Sequence, residues 1–348
     1  MTIIERLQAL GIRRLGDPKR GFQYRTAQGA AISAADRARI EELKIPPAWK
    51  DVAIHPRAGG SVQAVGKDAA GRWQYLYHEK QILIRERKKL DRMIRFLRAL
   101  PRMRKIVHRD LSRPGMPRER VMAGVVRILS SCYLRPGSEV YASENGSYGI
   151  ATLRPRHLKV AGDVLHFDFP GKSGQRQVRD VRDRRVAKLV RELLRHPGEV
   201  FKFRNEEGSI VDVKTRHINA YIQEHMGERF SAKDFRTWAG TLLCACALAR
   251  TAEEARLTPT ARKRTVAAAL RHVAQHLGNT PAVCRSSYVF PVVLQRFEEG
   301  RVLRYSFNGD VRRAREVERS ERALLRLLAE APRRRSSHGS RGALRTAA

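Results

Sequence analysis

The spacing of hydrophobic and polar positions along this chain changes period near residue 80. Before that point the apolar residues come in short, alternating runs. Trp49–Ile54 and Ser61–Val65 are β-like, and Trp73-Gln-Tyr-Leu-Tyr77 alternates large and polar side chains after a turn at Asp68–Gly71. One helix is predicted from Ala34 to Leu43, with Ser33 as its N-cap. This stretch reads as a small α+β domain over residues 1–80.

From Glu79 onward the period becomes helical. Leu90, Met93, Ile94 and Leu97 recur on one face, and Pro101 is expected to end that helix. Val121, Val125, Ile128, Leu129 and Cys132 form the next apolar face. A strand section follows at Gly149–Leu153, Val164–Phe169 and Gln175–Val178, with its last two strands joined as a hairpin by the turn Pro170-Gly-Lys-Ser-Gly174. Helices resume near Asp183, Lys214, Ser231 and Thr258. The last of these has Pro259 in its first turn and Gly278 past its end. Residues 311–330 predict an amphipathic helix that buries Leu324, Leu325, Leu327 and Leu328. The fold class is therefore α+β: a small N-terminal sheet domain, a larger and mainly α-helical domain over 81–330 with a short β-hairpin section, and a basic tail over 331–348 expected to be disordered.

Composition adds a partner class. The 348 residues, 42% of them hydrophobic, suffice for two domains with a sizeable core. Seventy Lys and Arg against 35 Asp and Glu leave a net charge of +35, which draws polyanions through release of condensed counterions. Cys132, Cys244, Cys246 and Cys284 form no Cys-x-x-Cys pair, so a zinc site is not expected. The N-terminal Met1–Leu7 has no apolar signal region, and no run of 18 apolar residues predicts a membrane span. These features predict a cytosolic, reduced protein. On charge alone, an enzyme acting on nucleic acid and a non-enzymatic basic binder are equally good readings.

Five positions narrow the choice. Arg135 lies in Leu-Arg-Pro-Gly-Ser-Glu, just past a helix end, and Lys172 lies at the hairpin tip in Phe-Pro-Gly-Lys-Ser-Gly. Arg236 lies in Lys-Asp-Phe-Arg-Thr-Trp-Ala-Gly-Thr, two residues after the capping box Ser231-x-x-Asp234. A cation in that first turn opposes the helix dipole unless an anion joins it. Asn279 and Tyr288 share Gly-Asn-Thr-Pro-Ala-Val-Cys-Arg-Ser-Ser-Tyr, Tyr288 following a short helix opened by Thr280 and Pro281. Two guanidiniums, an ammonium and an amide can hold a phosphodiester, and a phenol of pKa about 10 can attack it given cations nearby or a base. Gly171-Lys172-Ser173 is not the end of a P-loop, because position 166 is His166 where that motif needs glycine. No ATP site is expected.

The order and context of these five residues resemble the type IB DNA topoisomerases, in particular the small poxvirus-like enzymes of bacteria, from about Gly21 to about Phe297. The resemblance implies the catalytic fold shared by tyrosine recombinases and type IB topoisomerases. It implies that Tyr288 is the nucleophile, forming a 3′-phosphotyrosyl intermediate. Arg135, Arg236 and Asn279 would hold the non-bridging oxygens, and Lys172 would act as general acid. Related enzymes often carry His at the position of Asn279. Gly71-Arg-Trp-Gln-Tyr-Leu-Tyr-His78 is similar to the segment by which the family touches DNA from the opposite side, which implies Gln74, Tyr75 and Tyr77 as DNA contacts; the alternative is that one tyrosine packs in the sheet. Tyrosine recombinases usually have His where this chain has Lys233, so Lys233 points to the topoisomerase version and to a DNA contact. The family's chemistry implies double-stranded DNA as partner, no ATP or essential metal, action as a monomer, and a cytoplasmic, nucleoid-associated location. The rival readings are a tyrosine recombinase or integrase, and the non-enzymatic DNA binder.

Overall fold

The computed structural model describes residues 1–251, 258–307 and 314–330. The chain forms two compact units that divide between Lys89 and Leu90.

Unit 1 contains α1 (Ile3–Leu10), β1 (Ile12–Asp17), β2 (Gly21–Arg25), α2 (Ala34–Glu42), β3 (Lys50–Ile54), β4 (Val62–Lys67), β5 (Trp73–Tyr77) and the first turns of α3 (Glu79–Asp110). The five strands form one antiparallel sheet in the order β2-β1-β3-β4-β5. Each face is closed by a helix. α2 starts where the Ser33 hydroxyl accepts from the Asp36 N–H at 3.0 Å. It sets Ile40 against Ile12, Trp49, Val52, Ile54, Ala64 and Leu76. α1 sets Leu7 against Ala53, Val62 and Val65, with Tyr75 and Tyr77 packed at the margin of that cluster. β1 and β2 are not among the strand runs read from the sequence: the charges of Ile12-Arg-Arg-Leu-Gly-Asp17 mask any alternation, whereas Gly21-Phe-Gln-Tyr-Arg25 does alternate, with Phe22 and Tyr24 as its half-buried positions.

Unit 2 continues α3 and adds α4 (Arg118–Cys132), α5 (Glu139–Asn145), β6 (Leu158–Ala161), β7 (Val164–Pro170), β8 (Arg176–Arg182), α6 (Arg184–Leu193), β9 (Lys202–Arg204), β10 (Ile210–Asp212), α7 (Thr215–Met226), α8 (Ala232–Arg250), α9 (Pro259–Leu277), α10 (Pro281–Ser287), α11 (Pro291–Glu298) and α12 (Ala314–Ala329). α8 is the axis of its core. Phe235, Trp238, Leu242, Leu243, Cys244 and Leu248 are all buried, and α4, α7, α9, α11 and α12 pack around it. Its N-terminus is pinned twice. The Asp234 carboxylate accepts from the Ser231 N–H at 2.8 Å and from both forks of Arg92 on α3 at 2.7 and 2.6 Å. α3 is tied to α12 in the same bidentate way, Arg104 to Glu321 at 2.7 and 2.6 Å.

Two expectations are corrected. Pro101 does not end a helix: α3 runs through it to Asp110. The lost hydrogen bond to Leu97 and the ring clash cost about 3 kcal/mol in an isolated helix. Here Leu97, Leu100, Met103 and Val107 are all buried, and that shared apolar face outweighs the cost. Gly149–Leu153 is not a strand either. It contains a short 3₁₀ turn at Ile150–Thr152, and the third strand of the sheet is Leu158–Ala161, antiparallel to β7. The amides of Ile150 and Ala151 are used instead on the carbonyls of Arg135 and Pro136, at 2.9 and 2.8 Å.

Candidate active site

Four of the five sequence-selected residues meet where α4, α8, α9 and α10 end or begin. α4 stops at Tyr133, which takes a left-handed backbone (φ 58°) and is buried, its ring edge-on to Trp238 at 6.2 Å. A non-glycine residue holds this conformation only when its surroundings fix it. The turn leads the chain into Leu134-Arg135, whose backbone is braced by the Ile150 and Ala151 amides. Arg135 is therefore not a cap of α4. Its Nη2 donates to Asn279 Oδ1 at 2.5 Å and reaches the Gly278 carbonyl at 3.4 Å.

Asn279 sits just beyond the C-terminus of α9, where Gly278 takes the left-handed cap (φ 58°) and both amide N–H groups return to Ala274 O. With its Oδ1 engaged by Arg135, the side chain leaves Nδ2 as a buried donor with no protein partner among the described residues.

Arg236, one turn into α8, is 3% exposed. Its Nη1 donates to the Tyr133 carbonyl and its Nη2 to the Leu277 carbonyl at 2.9 Å, while Nε is buried without a protein partner among the described residues. Burial, then the nearby charge of Arg135, lowers its pKa to about 10. A cation buried this deeply with carbonyls as protein partners carries charge that the described residues leave uncompensated.

Tyr288 closes α10, its N–H bonded to the Cys284 carbonyl at 3.0 Å. α8 positions it from the other side. The Thr241 hydroxyl donates to the Tyr288 carbonyl at 3.0 Å, and a Cβ on Gly240 would fall 2.8 Å from that oxygen and 2.9 Å from the Tyr288 Cβ. The Arg236 guanidinium lies 5.0 Å from the centre of the phenol ring. Burial pushes the phenol pKa up, but the charges of Arg236, Arg135 and Lys233 more than offset this, and the net shift is downward from 10.0. At a given pH the half-buried phenol therefore carries more phenolate than a free tyrosine.

Lys172 stands apart from this group. It opens the Lys172–Gly174 turn between β7 and β8 and is exposed, and among the described residues its ammonium has no partner. Lys233 is exposed on the first turn of α8. In unit 1, Tyr75 and Tyr77 lie on the same face of β5, half-buried and stacked at 6.0 Å, with the Arg85 guanidinium 3.7 Å from the Tyr77 ring centre. Gln74 faces the other way and donates to Asp68 at 2.9 Å. Among the described residues no cluster of three or more His, Cys, Asp or Glu side chains is arranged to hold a metal. All four cysteines are buried and free.

Sequence reasoning missed Tyr133, Gly240 and Thr241. Only Gly240 left a trace, as an isolated glycine inside an Ala-rich helix, which signals close packing.

Comparison with known proteins matches residues 79–305 to the family described as "Eukaryotic DNA topoisomerase I, catalytic core" and residues 21–68 to "Bacterial DNA topoisomerase IB, N-terminal domain". The DNA topoisomerase 1B of Acanthamoeba polyphaga mimivirus is 34% identical over 296 residues, covering 83% of this chain and 88% of the relative. The DNA topoisomerase 1B of vaccinia virus (strain Copenhagen) is 20% identical over 264 residues, 75% of this chain and 81% of its own. A DNA topoisomerase 1 of Mycosarcoma maydis is 24% identical over 200 residues, 52% of this chain and 19% of that protein.

Proposed function

The chain belongs to the type IB DNA topoisomerase family, and from that premise we propose that it relaxes supercoiled DNA with Tyr288 as nucleophile and Arg135, Arg236, Asn279 and Lys172 as its partners. The observation that carries this reading is the buried Arg236. It has no anionic partner among the described residues, its Nε is buried without a protein partner as is the Nδ2 of Asn279, and it lies next to a phenol of lowered pKa.

The chemistry follows from these groups. Tyr288 Oη, losing its proton to solvent, bonds to a backbone phosphorus while the bond from phosphorus to the 5′ oxygen breaks. Negative charge grows on the non-bridging oxygens, where Arg236, Arg135 and the Asn279 amide donate hydrogen bonds that strengthen in the transition state. Lys172, aided by Arg135, gives its proton to the departing 5′ oxygen. The enzyme remains joined to the 3′ phosphate, the nicked duplex rotates about its intact strand, and the 5′ hydroxyl returns to expel Tyr288. The phosphotyrosine conserves the bond energy, so the cycle calls for no nucleotide, and its charge stabilisation comes from protein cations without need of a metal.

All five residues belong to unit 2 of one chain, which supports action as a monomer. The stacked faces of Tyr75 and Tyr77 suit contact with sugar or base, and with Gln74 and Lys233 they extend the proposed DNA contacts. No helix among the described residues is long and apolar enough to cross a membrane. A cytoplasmic, nucleoid-associated location accords with the substrate.

Incubation with supercoiled plasmid in EDTA without ATP tests the reading. Relaxed topoisomers are expected with the native protein and none with Tyr288→Phe, which should bind DNA nearly as well because affinity comes from many cations. A covalent DNA adduct recovered with the Phe variant would remove Tyr288 from its role.

A further inference from the structure

The C-terminal end of α9 gathers three arginines, only two of which belong to the group above. The last carbonyls of a helix lack partners within the helix and carry its negative end. In α9 and its cap, the Leu277 carbonyl takes Arg236 and the Gly278 carbonyl takes Arg135. The carbonyls of Gln275 and His276 take the third: Arg179 Nη2 donates to them at 3.1 and 3.0 Å. Arg179 comes from β8, the strand that returns from the Lys172 turn.

A second side chain of β8 bridges the same two places. Gln177 is 5% exposed. A Cβ on Gly278 would lie 2.5 Å from its Nε2, and a Cβ on Gly171 would lie 2.8 Å from its Cγ. The Gln177 side chain is thus wedged between the residue before Asn279 and the residue before Lys172, where two glycines make room for it. Its own hydrogen bond, to the Gln175 carbonyl at 3.3 Å, stays within the turn, whose closure is the Gly171 N–H to Gln175 O bond at 2.9 Å. The opposite side of the hairpin is held by the Tyr148 N–H on the Pro170 carbonyl at 2.9 Å.

The Arg179 guanidinium has no carboxylate partner among the described residues, and burial lowers its pKa from the ordinary arginine value. A half-buried arginine placed on bare carbonyls is a costly way to hold a surface hairpin in general. It is well suited to holding one hairpin against one helix end in a fixed register.

We propose that Gln177 and Arg179 are positioning residues for the reaction: they clasp the Lys172 turn to the α9 terminus, so that the proton donor is set relative to the phosphate-holding group of Arg135, Arg236 and Asn279. The proposal rests on the general-acid reading of Lys172. A donor displaced by about 1 Å loses roughly 10²-fold in rate, while a donor that is not needed loses nothing.

The test is single-turnover cleavage of a duplex carrying one cleavage site mapped for this protein, made with either oxygen or sulfur at the 5′-bridging position. A thiolate leaves without protonation, so the sulfur duplex reports everything except proton delivery. Arg179→Ala and Gln177→Ala should cleave the oxygen duplex at least about tenfold more slowly and the sulfur duplex within about threefold of the native rate. Arg179→Lys, which keeps a cationic donor for the α9 carbonyls, should recover part of the loss on oxygen. Lys172→Ala is run beside them. If Lys172→Ala is rescued by sulfur and the two β8 variants are not, the clasp is overturned while the general acid stands. If Lys172→Ala is not rescued, the general-acid reading falls and the clasp falls with it. Thermal melting by circular dichroism checks that Arg179→Ala is folded; should it not be, Gln177→Ala, which removes packing without stranding a charge, decides alone.

Discussion

At the scale of single residues, the site is defined by donors left free as much as by bonds made. Tyr288 leads to a prediction about pH. Its pKa lies below that of a free phenol, through cations that overcome the effect of burial. The cleavage rate should therefore rise with pH as the phenolate forms and level off below pH 10. The profile is measured on a 5′-sulfur duplex at subsaturating enzyme, so that the free enzyme's nucleophile is the group reported. Lys233→Gln removes one of the lowering charges and should move the break upward; a native break at or above the free-phenol value would show that the cations do not act on Tyr288. Asn279 leads to a second. Its acceptor is taken by Arg135 and its donor is free. Asn279→Ala should slow single-turnover cleavage with little change in the pH profile, Asn279→His should retain more activity than Ala, and Asn279→Asp should fall below Ala because it places negative charge where the phosphate belongs. An Asp variant as active as the native protein would show that the amide does not meet the phosphate. Order and context singled out Arg135, Lys172, Arg236, Asn279 and Tyr288 in the sequence, and the fold brings four of them together. The bond from Arg135 to Asn279 was not legible there, because it joins residues 144 positions apart and no local pattern encodes such a meeting.

At the scale of elements, α8 acts as the ruler of the site. It presents Arg236, Gly240 and Thr241 to the phenol ring, the Cβ and the carbonyl of Tyr288. Gly240→Ala sets two effects in opposition. Alanine favours the helix by about 1 kcal/mol. Its methyl group, however, would press on the Tyr288 backbone at 2.8 Å. The displacement should win at the site: cleavage should fall at least about tenfold while DNA affinity, followed by fluorescence anisotropy, stays near native. Equal loss of binding and cleavage would assign Gly240 to the fold alone. Helices with a clear apolar face, such as α4 and α9, were legible in the sequence. The errors came where tertiary contacts override local signals: Pro101 is carried through by its buried neighbours, and the amides of Ile150 and Ala151 are taken by the Arg135 segment instead of a sheet.

At the scale of the whole molecule, charge dominates. A net charge of +35 implies many phosphate contacts, each releasing counterions, so affinity should fall steeply with salt, at about −0.9 in log–log slope per phosphate neutralised. Plasmid relaxation should still quicken from low to moderate salt, as release of finished DNA becomes faster. Removing the chain after Pro332, a stretch outside the described residues, should flatten the slope modestly and leave cleavage of a short duplex unchanged. Loss of that cleavage would place part of the catalytic unit in the tail. The α+β class was legible from the change of period near residue 80, whereas the division between units falls inside the continuous helix α3, where sequence periodicity has no break to show.

The pairing of Arg104 with Glu321 bears on how the protein is born. It joins positions 217 residues apart, and the helix that carries Glu321 also covers a flank of α8. A chain emerging from the ribosome completes that flank of α8 only once the helix carrying Glu321, which follows Tyr288 in the sequence, is out. A chain cut before Ala314 should therefore leave the apolar flank of α8 uncovered and be more prone to aggregation and proteolysis than the native protein, as limited proteolysis would show.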